Sequence, residues 1–210
     1  MKERLCSQWC YRDHVSTPRR RGDALREAVF DAALAEVAEH GLRGSSMTRI
    51  AQRAGTGKAA LYRRWPNVRA LALDVFISTL EATQAHTADT GSLRSDLLES
   101  MTGFSRQLEG DLGIVLRELL SEAVHDPGLI DEFQARIGQQ MDTDAVATIQ
   151  RAMVRGEIPL RSVDPYVLQV PAAMIVHRLV FTGQAPADPE LAHIVDAIIL
   201  PLLHLPLVDA

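Results

Sequence analysis

Residues 46–65 read SMTRIAQRAGTGKAALYRRW and contain two short helical patterns separated by a glycine-containing turn. Ser46 is placed to cap the first helix, which we expect over Met47–Ala54. Residues 55–57 (Gly-Thr-Gly) break the chain before a second helix over Lys58–Trp65. Helices of about two turns cannot bury enough apolar surface on their own, so a third helix must support them. This arrangement is typical of a helix-turn-helix, whose second helix enters the major groove of DNA.

An amphipathic helix that can supply this support precedes the unit, from about Arg20 to His40. Gly41 follows it at the position where a C-terminal cap belongs. Apolar residues recur at helical spacing on one face of this helix, namely Leu25, Val29, Ala32, Ala33 and Val37. The sequence therefore predicts a three-helix unit at the N-terminal side of the chain.

Charge is distributed unevenly along the chain. Residues 16–66 contain ten Lys/Arg and five Asp/Glu, a net charge of +5, whereas residues 67–210 contain nine Lys/Arg and twenty Asp/Glu, a net charge of −11. A basic segment ahead of an acidic body is expected when only the first meets phosphate groups. Chance clustering of surface charge is the alternative that charge by itself leaves open.

The residues that we expect to contact DNA are basic, small or able to form hydrogen bonds. In the second helix, two alanines are small enough to let the backbone approach base edges, and two arginines can reach phosphates or guanine. Three arginines ahead of the first helix can lie along the DNA backbone or in the minor groove. The predicted DNA-binding set is Arg19, Arg20, Arg21, Ser46, Thr48, Arg49, Lys58, Ala59, Ala60, Tyr62, Arg63 and Arg64.

The rest of the chain continues in helical patterns, without alternating strand patterns or internal repeats. A helix is expected over residues 129–155, and two later helices open with Asp-Pro at residues 164–165 and 188–189, with Asp as N-cap and Pro in the first turn. We therefore predict an all-α fold of about nine helices. Its parts are an extension over residues 1–18, a helix-turn-helix DNA-binding domain over residues 19–66, and a helical domain over residues 67–210.

From about Arg20 to Phe76 the sequence resembles the DNA-binding domain of the TetR family of transcriptional regulators. The positions that carry the resemblance are Gly41, Ser46, Ile50-Ala51, Ala54-Gly55, Leu61-Tyr62 and Trp65. The chain departs from the family pattern at Thr56, Ala60 and Val68, where the family often has Val, Thr and Lys. Residues 93–205 resemble the regulatory domain of the family more loosely, with residues 151–158 (RAMVRGEI) similar to a helix ending found in one branch.

The resemblance implies a homodimer that binds a palindromic DNA operator as a repressor and is released by a small, largely apolar effector. It also implies that residues 67–210 form a ligand-binding and dimerisation domain, whose last two long helices pair with their copies in a second subunit. The sequence agrees, because residues 188–204 carry an apolar face that is large for a terminal helix. That predicted dimer face consists of Leu191, Ile194, Val195, Ile198 and Leu202. An activator, an architectural DNA-binding protein, and a helical adaptor without DNA binding are the alternatives.

Several apolar or aromatic residues of the acidic part can line an effector pocket. They are Met101, Phe104, Phe133, Met141, Met153, Met174, His177 and Phe181. Residues of these types at helical spacing more often serve as ordinary core, and a core or interface position suits His177 better than a ligand contact. The sequence leaves these readings open, together with the identity of the effector.

Other functional classes lack support in the sequence. Cys6, Cys10 and His14 would share a face of a helix and could bind a metal. Three such ligands without a fourth fit incidental thiols in an extension better, so we predict no metal and no cofactor. There is no Gly-rich phosphate loop, HExxH motif or assignable catalytic arrangement, so we expect no enzyme. With no apolar stretch of membrane-spanning length and no signal-type apolar segment, we expect a cytoplasmic protein.

Overall fold

The computed structural model describes residues 22–84, 89–159 and 163–204, and within these ranges the chain is helical without strands. The all-α prediction is confirmed. In the same ranges, no helix combines the length and the apolar character that crossing a membrane requires. The α-helices are α1 (Asp23–Gly44), α2 (Met47–Arg53), α3 (Lys58–Tyr62), α4 (Val68–Gln84), α5 (Leu93–Gln107), α6 (Asp111–Ala123), α7 (Pro127–Phe133), α8 (Gln139–Val154), α9 (Pro165–Thr182), α10 (Asp188–Ile194) and α11 (Leu200–His204).

Helix α1 loses its regular geometry at Gly41, the position that the sequence predicted as its cap. Gly41 has φ +67° and ψ 168°, a conformation that glycine adopts without a steric cost. The next residue, Leu42, donates its backbone N–H to Glu118 Oε2 of α6 at 2.7 Å. A Cβ atom at position 41 would lie 3.1 Å from that carboxylate oxygen. Gly41 therefore ends the regular part of α1 and leaves room for α6 to bind the turn that follows.

Two clusters of buried apolar residues form the interior. The smaller cluster joins α1, α2 and α3 to one face of α4, through residues such as Ile50, Leu61 and Leu71. The larger cluster joins the other face of α4, which includes Phe76, to helices α5 to α11. We call these C-terminal helices the acidic part, or acidic domain, of the chain. Because α4 packs into both clusters, the predicted domain boundary between residues 66 and 67 stays a prediction.

Polar contacts also join the N-terminal helices to the acidic part. Besides the Leu42–Glu118 hydrogen bond, Arg43 Nε of α1 lies 3.0 Å from Glu122 Oε2 of α6. Arg69 of α4 pairs with Asp126 at the start of α7. The two parts are thus tied at the end of α1 and at the start of α4, on either side of α2 and α3.

Two π-helical turns interrupt segments that the sequence predicted as regular helix. Residues Gln134–Gly138 join α7 to α8, and residues Val195–Ile199 join α10 to α11. A π-helical turn bonds residue i to i+5 and so shifts the faces of the helix on either side of it. A 3.6-residue period does not reveal such an insertion, because apolar residues on both sides still recur at helical spacing.

The two Asp-Pro helix starts have different outcomes. Asp164 is the N-cap of α9, and its Oδ1 accepts the Tyr166 N–H at 2.8 Å, as predicted. The prediction for Asp188 is wrong by one residue, because Ala187 is the N-cap of α10. Glu190 Oε2 accepts the Ala187 N–H at 3.1 Å, so this turn closes through the glutamate instead of the aspartate.

A buried carboxylate holds the start of α5 to the end of α8. Asp96 accepts hydrogen bonds from Thr90 N and Oγ1 at 2.7 and 2.6 Å and from Arg155 at 2.9 Å. Arg155 also pairs with Glu157, which accepts the Leu93 N–H at 2.7 Å. Burial raises the pKa of Asp96, but the hydrogen bonds from Thr90 and Arg155 outweigh it and hold that pKa below its ordinary value. This network therefore joins segments of the C-terminal part to each other.

Candidate DNA-binding surface

The connection between α2 and α3 is a tight turn with a capped helix on its N-terminal side. Ser46 Oγ accepts the Thr48 N–H at 3.2 Å, which confirms Ser46 as the N-cap of α2. After α2, the Thr56 N–H donates to Ala51 O at 2.9 Å, and Gly55 between them has φ +66°. Glycine is the residue that adopts this conformation without strain. The turn therefore sets the angle between the two helices through the backbone.

Helix α3 has a buried face and an exposed face. Leu61 and Trp65 are buried against α1, α2 and α4 in the smaller cluster. The Trp65 N–H donates to Leu61 O at 2.9 Å, so the tryptophan closes the C-terminal end of α3. Lys58, Ala59 and Tyr62 are exposed on the opposite face. That outward face therefore has the small Ala59 between the larger side chains of Lys58 and Tyr62.

The cations of this surface are not paired with carboxylates of the described residues. Lys58, Arg63 and Arg64 are exposed and lie outside the ion pairs that this part of the chain forms. The Lys58 Nζ lies 5.6 Å from the centroid of the Tyr62 ring, and the Arg64 guanidinium lies 5.2 Å from that of Trp65. Contacts of this kind orient a cation over an aromatic face without neutralising it. The three side chains thus remain available to an anionic partner.

Two arginines of α2 have internal partners instead. Arg49 Nε lies 2.5 Å from Glu36 Oε1, and its terminal nitrogen donates to Gly44 O at 2.5 Å. Arg53 makes two hydrogen bonds to Glu39, at 2.8 and 2.7 Å. Both arginines are bound to α1 in the DNA-free protein, so their first role is to hold α2 in place. The predicted DNA contact of Arg49 stays a prediction.

The buried carboxylate of Glu36 organises the start of α2. Its side chain is 0% exposed, and Oε1 accepts both the Arg49 Nε–H and the Ser46 N–H, the latter at 3.1 Å. His40 Nδ1 lies 3.7 Å from its other oxygen. Glu36 is not among the residues that the sequence predicted to act at this surface. The available signal was an acidic residue on the apolar face of α1, one helical turn after Ala32.

The structure describes most of the predicted DNA-binding set. Arg19, Arg20 and Arg21 lie outside the described residues. Ser46 and Ala60 are half-buried. The exposed members are Thr48, Arg49, Lys58, Ala59, Tyr62, Arg63 and Arg64, and apart from Thr48 and Arg49 they come from α3 and the two residues after it.

The predicted dimer face faces inward in part. Leu191, Ile194 and Val195 are buried in the larger cluster of their own subunit, so they are not available to a partner. Ile198 and Leu202 are half-buried. An apolar stripe on a helix indicates burial, but the same stripe suits a subunit core and a subunit interface.

A different apolar face is exposed on α9. Its members recur three or four residues apart, which places them along one side of the helix. Tyr166 is 80% exposed and Phe181 is 76% exposed, and the Phe181 ring centroid lies 4.6 Å from that of His177. The exposed or half-exposed residues of this face are Tyr166, Val170, Ala173, His177, Val180 and Phe181. We call this set the α9 face.

The predicted pocket residues are not gathered around one cavity. Met101 is buried, Phe104, Phe133, Met153 and Met174 are half-buried, and His177 and Phe181 are exposed. The side chain of Met141 lies outside the described residues. Met174 and His177 line an open groove of about 400 Å³ between α9 and α10. A second cavity of about 300 Å³ lies between α6 and the end of α9, and none of the predicted residues lines it.

Comparisons with protein families agree with this arrangement of two parts. Residues 29–75 match the family described as bacterial regulatory proteins, tetR family. Residues 87–198 match the tetracyclin repressor-like C-terminal domain. The first match covers the helix-turn-helix and its supports, and the second covers most of the acidic helices.

Individual relatives match over most of the chain. An uncharacterized HTH-type transcriptional regulator of Bacillus subtilis, YdeS, is 28% identical over 170 residues, which is 81% of this chain and 85% of the relative. The DNA-binding transcriptional repressor TetR of Mycobacteroides abscessus is 27% identical, over 88% of this chain and 96% of the relative. The structure of the transcriptional regulator FadR from Bacillus subtilis in complex with stearoyl-CoA has the same fold, with a TM-score of 0.66 at 18% identity over 84% of this chain and 97% of FadR.

Proposed function

The chain belongs to the TetR family of helix-turn-helix transcriptional regulators, and we propose that it is a repressor that binds a palindromic operator as a dimer and is released by an effector. Its relatives regulate transcription and are not enzymes, and the same holds for this chain. The proposal rests above all on the outward side of α3 and the two residues after it. There Lys58, Arg63 and Arg64 have no carboxylate partner among the described residues, on a helix that its buried face holds in place. The choice of repression follows the Mycobacteroides abscessus relative.

Helix α3 is the element that enters the major groove in this proposal. The groove is about 12 Å wide and admits one helix. Ala59 permits a close approach, and Lys58 and Tyr62 flank it on the exposed face. A two-fold dimer would hold two α3 helices about 34–36 Å apart, one turn of B-DNA, and would therefore read a near-palindrome. Because its target is the chromosome, we place the protein in the cytoplasm.

We assign phosphate contacts to residues around α3. Arg63 and Arg64 follow α3 directly and have no carboxylate partner among the described residues. Thr48 is exposed in the first turn of α2 and can donate its hydroxyl to a phosphate. Arg19, Arg20 and Arg21 precede α1 and are proposed to follow the DNA backbone or the minor groove.

The α9 face is the proposed centre of the dimer. Exposed aromatic residues on one helix face mark a surface that a partner covers more often than one that stays in water. A two-fold interface uses the same patch on both subunits, so both copies of each exposed ring become buried in the dimer. Ile198 and Leu202 of the terminal helices are half-buried and extend this surface. The proposal keeps the prediction that the last two long helices pair with their copies, but it places most of the contacting residues on α9 instead of residues 188–204.

The effector is proposed to be small and largely apolar. Phe104, Met153 and Met174 are half-buried at the edge of the larger apolar cluster, where packing can open for a ligand. The FadR structure of the same fold contains stearoyl-CoA, which has a long apolar chain. If the effector favours a spacing of the α3 helices that does not fit DNA, the operator must weaken effector binding by the same factor, typically ~5–150-fold.

The phosphate assignment predicts a change in salt dependence. Replacing Arg63 by alanine is expected to weaken binding to a duplex of the protein's own promoter region and to reduce the slope of log K against log salt by about 0.9, because one fewer phosphate is neutralised. Fluorescence anisotropy across a salt series measures that slope. Arg106→Ala, which removes an exposed cation paired with Asp188 on the acidic domain, is the matched control. Wild-type slopes in both Arg63→Ala and Arg64→Ala would rule out the assignment.

A further inference from the structure

One carboxylate of α4, that of Asp74, contacts both the end of the α3 segment and the acidic domain. Asp74 Oδ2 accepts the Trp65 Nε1–H at 3.0 Å. Its other oxygen, Oδ1, accepts a hydrogen bond from the Arg136 guanidinium at 2.7 Å. The two oxygens of a single side chain thus bind one residue from each part of the molecule.

The Trp65 end of this connection controls the C-terminal end of α3. The Trp65 backbone N–H donates to Leu61 O inside α3, and its ring packs 6.1 Å from that of Phe30 on α1. The indole N–H is the one polar group of this side chain, and Asp74 satisfies it at the edge of the buried cluster. Fixing the indole therefore fixes the last turn of the helix that carries Tyr62.

The Arg136 end stands on the π-helical turn of residues 134–138. Just before that turn, Phe133 stacks on Phe76 of α4, with ring centroids 5.8 Å apart. This segment is therefore held to α4 by one aromatic and one ionic contact, from Phe133 and Arg136 to Phe76 and Asp74. Single π-helical turns are rare and occur frequently at functional sites. A change in this turn would act on Asp74 before it acted on any residue of α3.

The other polar contacts between the N-terminal helices and the acidic domain do not involve α3 or Trp65. Among the described residues, Glu118 and Glu122 bind the end of α1, and Asp126 binds Arg69 at the start of α4. We propose that Asp74 is a positioning residue through which the π-helical turn holds Trp65 and thereby sets the angle at which α3 meets DNA. This inference rests on the proposed DNA-binding role of α3.

The test is a double-mutant cycle between the two ends. Arg136→Gln removes the ion pair and leaves Trp65 and Asp74 intact, whereas Trp65→Phe keeps a smaller aromatic side chain and removes the N–H. Each single variant of the full chain should bind the promoter duplex about two- to fivefold more weakly, as expected for partly exposed pairs. The double variant should be no weaker than Trp65→Phe, because holding Asp74 has no effect on α3 once the indole N–H is gone.

A second readout does not depend on DNA. In the DNA-free protein, Arg136→Gln should speed amide hydrogen exchange in residues 58–65. Arg94→Gln, which breaks an ion pair with Asp196 at 2.7 Å on the acidic domain, should leave exchange there unchanged. Additive losses of affinity, or wild-type exchange in Arg136→Gln, would overturn the positioning role. If the wild-type protein bound no DNA, the proposed function would fail, and the exchange measurement would still decide the role of Asp74.

Discussion

Replacing Glu36 by alanine is expected to lower the free energy of unfolding by about 2–4 kcal/mol and to weaken DNA binding at least tenfold. The change leaves the Ser46 N–H without its acceptor and removes the partner of Arg49. It also leaves a cavity in a fully buried position. Because Arg49 is half-exposed, its guanidinium can be hydrated when Glu36 is removed. The loss of stability is therefore smaller than for an ion pair in which both partners are buried. Urea denaturation and promoter binding measure the two effects.

The structure offers a matched control on the same helix. Glu39 pairs with Arg53 at 2.7 Å but is 52% exposed, so Glu39→Ala should cost less than about 1 kcal/mol. Glu36→Gln keeps an acceptor for Ser46 and should fall between the two. Equal losses in Glu36→Ala and Glu39→Ala would show that Glu36 does not organise the start of α2.

Replacing Phe181 by aspartate is expected to raise the dissociation constant of the dimer about 100-fold or more. Burying a phenylalanine contributes about 1.5–3 kcal/mol, and a two-fold interface contains the residue twice. A carboxylate at the same place would in addition lose its hydration, or repel its copy if the two lie close together. Because Phe181 is 76% exposed in the subunit, the change should leave the subunit folded.

The dimer prediction is checked by sedimentation velocity over a range of protein concentrations. Val154→Asp is the control, because Val154 is 86% exposed at the end of α8 and outside the α9 face. Phe181→Asp should be monomeric at concentrations where Val154→Asp remains dimeric. A Phe181→Asp protein that dimerises like wild type would exclude the α9 face as the interface.

Features set by local backbone rules were predictable from the sequence. Gly41, Ser46 and Asp164 end or begin helices as expected, because caps depend on the chemistry of one or two residues. Asp188 was misassigned by one residue, because Glu190 competes for the same turn. The π-helical turn at residues 134–138 was missed, since the apolar period continues across it.

Features that depend on which surfaces meet were less predictable. Leu191 and Val195 form an apolar stripe whether it packs on the subunit or on a partner, and the structure places both in the subunit core. Glu36 and Asp74 act through contacts with residues 9 to 62 positions away in sequence, which single-sequence patterns do not report. The outward residues of α3 were predictable because one motif fixes both their spacing and their orientation.

DNA binding by α3 is tested most directly by footprinting of the purified wild-type protein on its own promoter region, across a salt series. We expect a protected near-palindrome with half-sites about one helical turn apart, and an affinity that falls steeply with salt. A folded dimer that protects no DNA at low salt would rule out the proposed regulator and would favour a helical adaptor without DNA binding.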